Sequence, residues 1–238
     1  MTWLLVAEIA MAVVVFPVLL FIPAPYGRHL RDGWGPTLPA RAAWVLMELP
    51  AAVVPLIAFR AAGGSLGADG VWLLALWELH YLQRTFVFPL RMRAGGRKPL
   101  VTVALAAGFN VMNGVLNGAA LATWRADGWA VLGALIFLGG LAINLHSDAV
   151  LRGLRAPGET GYKIPRGGVF RWVSAANYFG EIVEWIGFAL AARTGAAWAF
   201  ALFTAANLVP RALSHHRWYR ERFPDYPAER RAILPFVL

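Results

Sequence analysis

Long apolar runs, each closed by charges or by glycine and proline clusters, recur seven times along the chain. They cover residues 2–22, 42–60, 71–90, 100–123, 129–151, 173–192 and 196–218. Each has about the 20 residues that a helix needs to cross the hydrocarbon core of a bilayer. The pattern predicts an all-α fold, a bundle of seven transmembrane helices forming a single membrane domain over 1–238. The first run has no basic flank before it and contains Glu8, so it reads as a spanning helix and not as a cleaved leader. Pro50 and Pro55 lie inside the second run, where each ring removes a hydrogen-bond donor and predicts a kink. No internal repeat is visible, and the inverted repeats common in transporters find no support.

Polar positions break these runs in a regular way. Asn110, Asn113 and Asn117 fall at i, i+3 and i+7; Asn144 and Asp148, and likewise Asn177 and Glu181, at i and i+4; Arg211, His215 and Tyr219 at i, i+4 and i+8. Each set lies on one helical face, so four helices present polar stripes. A single asparagine in a membrane helix is as readily interhelical glue as anything else. Glue does not need Arg, His, Tyr, Asp and Glu near the same ends of the same spans. The whole set, with Glu48, Glu78, His80, Tyr81, Gln83, Arg84, His146, Glu184 and Asn207, points to a polar pocket.

Composition narrows the class. Hydrophobic residues make up 59% of the 238 and charged residues 15%, with a mean hydropathy of +0.56. That excludes a disordered chain and leaves no room for large extramembrane domains. With no cysteine, a disulfide framework, a thiolate zinc site and a thiol nucleophile are excluded together. The net charge of +9 would suit nucleic acid on a soluble protein. Here its distribution gives a different reading, in which no nucleic acid is bound. Arg28, Arg31 and Arg41 fall in the first loop; Arg91, Arg93, Arg97 and Lys98 in the third; Arg152, Arg155, Lys163, Arg166 and Arg171 in the fifth; and Arg211, Arg217, Arg220, Arg222, Arg230 and Arg231 around the tail. Together these are 18 of the 22 basic residues. Basic loops stay in the cytoplasm, which predicts an outside N-terminus and a cytoplasmic C-terminus. The protein is then multi-pass, in the inner membrane of a bacterium or the endoplasmic reticulum of a eukaryote.

Some motifs carry little. His215 and His216 are adjacent, so they point about 100° apart on a helix, and no HExxH accompanies them; no metal site is expected. The pairs Gly63–Gly64, Gly95–Gly96 and Gly167–Gly168 match no phosphate-binding pattern and read as turns. The fifth loop, with Arg155, Pro157, Gly158, Tyr162, Lys163, Pro165 and Arg166, is either solvated or a phosphate clamp.

Seven strings then occur in order: LPARAAW-x-L-x-ELP from Leu38, HY-x-x-RTFV from His80, NGVL-x-G from Asn113, IN-x-HSD from Ile143, PGE-x-x-Y-x-IP-x-GG from Pro157, AN-x-x-GEI-x-EWIG from Ala176 and RA-x-x-HHR-x-Y from Arg211. From about Tyr26 to the end the chain resembles the steroid 5α-reductase family. That resemblance implies seven transmembrane helices, NADPH as hydride donor, and reduction of the C4–C5 double bond of a 3-oxo-Δ4-steroid. Residues 1–99 resemble the steroid-binding part and 100–238 the NADPH-binding part. Glu48 and Tyr81 match the pair holding the steroid 3-oxo oxygen, and Trp44 an aromatic beside the steroid. Asn144, Asp148, Arg155, Tyr162, Asn177, Glu181, Arg211, His215 and Tyr219 fall where the family contacts NADPH, and Tyr26, Arg84, Arg97 and Lys163 join them. Met47 replaces a glutamine of the mammalian members, Phe88 a tyrosine, and Leu105 an arginine, changes that bear on steroid selectivity.

The chemistry agrees with the resemblance. Hydride arriving at the β-carbon of an enone leaves negative charge on the distant carbonyl oxygen, and a donor there strengthens in the transition state. Glu48 in an apolar span is expected to be a neutral acid and hence a donor, and Tyr81 donates at physiological pH. The expected partners are a hydrophobic steroid-like substrate and membrane lipid. Two rival readings remain at this point. One is a membrane S-adenosylmethionine-dependent methyltransferase of the isoprenylcysteine carboxyl type, which would bind no NADPH. The other is a transporter for a lipidic or anionic solute.

Overall fold

A computed structural model describes residues 1–22, 33–92, 96–156, 159 and 161–238. Its helices are α1 (Thr2–Phe21), α2 (Ala40–Ala61), α3 (Gly70–Leu82), α4 (Phe88–Arg91), α5 (Leu100–Ala122), α6 (Gly128–Gly153), α7 (Ala176–Ala192) and α8 (Gly195–Arg222). Among the described residues, five are long and apolar enough to cross a membrane: α1, α2, α5, α6 and α8. The chain is an all-α membrane protein. The third apolar run does not form one regular helix. A π-helical turn, Gln83–Val87, joins α3 to α4, and helical dihedrals at both junctions keep the rod continuous. The sixth run forms α7, of 17 residues.

One element has no counterpart in the hydropathy pattern. Strands β1 (Thr37–Pro39) and β2 (Arg97–Pro99) pair antiparallel, Leu38 opposite Lys98. Each ends in a proline that enters a helix, because a ring with φ fixed near −65° and no N–H is tolerated where a helix begins. The ribbon thereby ties the starts of α2 and α5, with the Ala40 and Leu100 amides donating to Gly96 and Pro36 carbonyls at 2.8 Å each. Pro50 and Pro55 both lie within a continuous α2.

The core between the helices is aromatic. Trp77, Trp185, Phe137 and Phe188 are fully buried, and the Trp77 ring lies 5.2 Å from Trp185, 5.5 Å from Phe188 and 5.3 Å from Phe200. The Trp77 indole N–H donates to the Ala51 carbonyl at 2.8 Å, pinning α3 to α2. Helices α6 and α7 pack more closely than side chains would allow. A Cβ on Gly180 would stand 2.5 Å from the Asn144 backbone nitrogen, and one on Gly140 would stand 2.2 Å from that of Glu184. Only glycine permits this approach, and it sets Asn144 directly beside the first turns of α7.

Candidate active site

Two polar clusters face one another at the basic ends of the helices, and Arg84 belongs to both. The first is built on α2, α5 and β2. Asn110 donates to the Met47 carbonyl at 2.7 Å and reaches Glu48 Oε2 at 3.5 Å. Lys98, delivered by the ribbon, places Nζ 4.3 Å from the Trp44 ring centre and 3.8 Å from Met47 Sδ. Burial lowers its pKa from 10.5 to about 8, against the attraction of Glu48 and with the repulsion of Arg211 and Arg84. Tyr81 is buried on α3, its ring 5.0 Å from Trp77 and 5.6 Å from Trp185. Glu48 and Tyr81 share one electrostatic neighbourhood with Arg84 and Glu181.

The second cluster spans α6 and α7. Asn144 donates to the Asn177 carbonyl at 3.0 Å and to Glu181 Oε2 at 3.4 Å; Asn177 donates to Asp148 Oδ1 at 3.2 Å. The i, i+4 stripes of the two helices thus interlock as a ladder, made possible by the glycine crossing.

Arg84 sits in the π turn. Such turns are frequent at functional sites. Its guanidinium meets Asp148 at 3.3 Å and Glu181 at 3.6 Å. The same group lies over the Trp44 and Phe88 rings at 4.8 and 4.5 Å, while its carbonyl accepts the Trp44 indole N–H at 3.0 Å. One side chain therefore spans from the Glu48 cluster to the α6–α7 ladder.

The remaining expected residues make contacts of their own outside these two clusters. His215 Nε2 lies 3.2 Å from the Tyr178 hydroxyl. Arg155 stands over the Tyr162 ring at 5.1 Å, and Tyr162 packs edge-on to Trp218 at 5.0 Å, so the fifth loop folds back on α8. Tyr219 is buried and stacks on Tyr226 at 5.3 Å. Lys163 pairs with Glu159 at 2.6 Å in an exposed contact. Arg97 is exposed, its guanidinium bound to Thr37 Oγ1 at 2.7 Å and the Thr37 carbonyl at 2.8 Å, where it braces the ribbon. Arg211 carries further contacts in this region. Tyr26 lies outside the described residues.

The asparagine stripe divides in two. Asn110 joins Glu48, whereas Asn117 donates to Asn113 Oδ1 at 2.7 Å within α5, which is the structural use open to any single asparagine. Lys98 and Trp218 lie among these residues although no stripe or match singled them out, and Phe88, marked in the sequence only as a departure from the family, packs with Trp44 beneath Arg84. A buried pair, His80 Nδ1 and Glu184 Oε1 at 2.7 Å, also links α3 to α7 behind Tyr81. Its members are 104 positions apart, beyond any periodicity.

The ladder of amides and carboxylates suits the carboxamide and hydroxyl groups of a nicotinamide nucleotide. Arg155, Lys163 and Arg211 are cations of the kind that suits the nucleotide's phosphates. Residues 96–238 match the family model described as 3-oxo-5-alpha-steroid 4-dehydrogenase. The chain is similar to the type 1 enzyme of that name from Bos taurus, 46% identical across 97% of this chain and 94% of the relative. It is 45% identical to the human type 2 enzyme, over 90% and 88%. A steroid 5-alpha-reductase of Gossypium hirsutum matches at 40%, over 92% and 90%.

Proposed function

The chain belongs to the 3-oxo-5-alpha-steroid 4-dehydrogenase family, and from that premise we propose how its residues reduce the C4–C5 double bond of a 3-oxo-Δ4-steroid with NADPH. The same relationship, running over nearly the whole length, favours the reductase over the methyltransferase and the transporter.

When bound, NADPH would supply a hydride to C5 of the enone, and the resulting enolate would take a proton from water at C4; the protein contributes orientation and electrostatics. Glu48 and Tyr81 hold the 3-oxo oxygen, and Trp44 packs beside the steroid. As charge develops on that oxygen, both donors strengthen, which is the differential binding that accelerates the step. Lys98 adds a positive charge at the same end. Asn144, Asp148, Asn177 and Glu181 hold the nicotinamide end of the cofactor, and Arg155, Lys163, Arg211, His215, Tyr162 and Tyr219 the phosphate end. Tyr26, Arg84 and Arg97 complete the set. The observation that carries this reading is the reach of Arg84. One guanidinium reaches from the aromatic wall beside Glu48 to the carboxylates of the α6–α7 ladder, so it would tie the residues that hold the steroid to those that hold the cofactor.

The membrane arrangement follows the basic loops: seven spans, with Gly70–Arg91 and α7 as the third and sixth, the N-terminus outside and the C-terminus in the cytoplasm. The chain has no cysteine, so single cysteines label without background. One at Gly161 or Ala228 is reached only from the cytoplasm and one at Gly67 or Asp127 only from outside; labelling of Gly161 in intact cells by an impermeant reagent overturns the orientation.

Purified protein is expected to oxidise NADPH only when a 3-oxo-Δ4-steroid is added, giving the 5α-reduced product. A turnover as fast with NADH as with NADPH contradicts the cofactor assignment. A 2′-phosphate contact by arginine is worth roughly 1.5–3 kcal/mol, about 10- to 150-fold in affinity.

A further inference from the structure

On the back of α6, away from the ladder, the helix leaves an open cavity of about 450 Å³ lined by Ala142, Ile143, His146, Val169, Arg171 and Trp172, among others. Helix α6 is two-sided here. Asn144, Ser147 and Asp148 are buried toward α7, while Ala142 and His146 face outward, so His146 does not join the polar pocket that the sequence pattern assigned it to. The far wall is the turn leading to the short 3-10 helix Gly168–Arg171. Gly167 and Gly168 have φ of +92° and +50°, values that favour glycine. A Cβ on Gly168 would stand 2.7 Å from His146 Nε2, so the imidazole lies against the bare turn and closes the floor of the groove.

The chain's C-terminus marks how this groove sits in the membrane. Backbone bonds tie it alongside: the Arg231 amide donates to the Trp172 carbonyl at 2.9 Å, and the Ile233 and Leu234 amides donate to the Leu238 carbonyl at 2.8 and 2.7 Å. The resulting turn carries Phe236 at φ +67° and thrusts it outward, 75% exposed, beside Val237 at 76% and Trp172 at 44%. The Phe236 and Trp172 rings lie 6.2 Å apart. An apolar knob of this kind, one turn before α7 enters the bilayer and flanked by Arg171 and Arg231, has the composition of a membrane–water boundary. Among the described residues Arg171 has no acidic partner. It is exposed at the groove.

We propose that the groove between α6 and the Gly168–Trp172 turn binds one anionic phospholipid of the leaflet on the basic side. An acyl chain lies along Ala142, Ile143 and Val169, the phosphate meets Arg171 with His146 beside it, and Trp172 and Phe236 flank the headgroup. An apolar wall on the outer face of α6 accounts for the chain, and an exposed guanidinium with no acidic partner among the described residues accounts for the charge. The site rests on the membrane orientation proposed above but not on the reductase assignment, because it uses the outer face of α6, the Gly168–Trp172 turn and Phe236, and none of the ladder.

The test is native mass spectrometry of the full-length protein released from detergent with added phosphatidylglycerol or phosphatidylcholine. The wild type is expected to retain phosphatidylglycerol at least fivefold more than phosphatidylcholine. Arg171→Ala abolishes that preference and Arg171→Lys keeps it. Ala142→Trp, which fills the groove, displaces the lipid, whereas Val131→Trp, exposed near the far end of α6, does not. Equal retention of the two lipids, or an Arg171→Ala protein that still prefers phosphatidylglycerol, overturns the site.

Discussion

The oxygen-binding cluster and the α6–α7 ladder are built on opposite plans. In the ladder nearly every polar group is committed: Asn144, Asn177, Asp148, Glu181 and Arg84 bond one another across a crossing that glycine makes tight. Around Glu48 the described contacts form no such closed set: Asn110 reaches the carboxylate at 3.5 Å, and a lysine is held over the Trp44 face. The difference fits the role proposed for each. A cofactor platform gains from rigid, satisfied partners that fix its geometry. A site stabilising charge that appears only in the transition state gains from donors not already occupied in the ground state.

Arg84 is where the two plans meet, and removing it should do the greatest damage. Arg84→Ala leaves Asp148 and Glu181 facing each other without their cation. Breaking such a buried pair from one side costs about 3–5 kcal/mol, so melting in detergent is expected to fall and kcat/KM to drop by more than about 100-fold. A variant of near wild-type melting and turnover would mean that the clusters work separately.

Glu48→Gln addresses the oxygen-binding side alone. It should lower kcat/KM by more than about tenfold, near 1.4 kcal/mol, while cofactor binding stays within a factor of two. Tyr81→Phe should behave alike, and the double variant should lose less than the product of the two, since both serve one oxygen. Full additivity would argue that they act on different groups.

On the ladder side, Gly180→Ala pushes a methyl against the Asn144 and Gly140 backbone. Overpacking of this kind costs roughly 1–3 kcal/mol. The expected result is a raised KM for the cofactor with a smaller change in kcat; Gly139→Ala, which meets nothing within 4 Å, is the neutral control. A rise in steroid KM alone would place the damage on the wrong side.

The smallest effect concerns Lys98. Its charge is present below about pH 8 and lost above it. Because its folded pKa is lowered, the folded chain releases the proton while the unfolded chain, near 10.5, still holds it. Stability should therefore rise as pH climbs from about 8 toward 10.5. Activity should run the other way, falling a few-fold across pH 8 as the charge near the steroid oxygen disappears. Lys98→Met should flatten that limb and Lys98→Arg should remove it by keeping the charge; an unchanged profile in Lys98→Met would assign the limb to another group.

Much of this was legible in the sequence. Hydropathy alone gave the helical membrane class and nearly every helix boundary, because burial in lipid imposes about 20 apolar residues wherever the chain crosses. Spacing at i and i+4 gave the Asn144–Asp148 and Asn177–Glu181 faces, a local property of helix geometry. The ordered strings gave the family. The tertiary structure alone decided which faces meet. Arg84 is 64 positions from Asp148, Trp44 is 40 from the Arg84 carbonyl, and His80 is 104 from Glu184. The π turn that aims Arg84 and the ribbon that delivers Lys98 leave no periodic trace. A helix's own residues record which side is polar, but the partner of that side is fixed by packing between distant segments, here through glycines whose lack of a side chain matters only once a second backbone arrives against them.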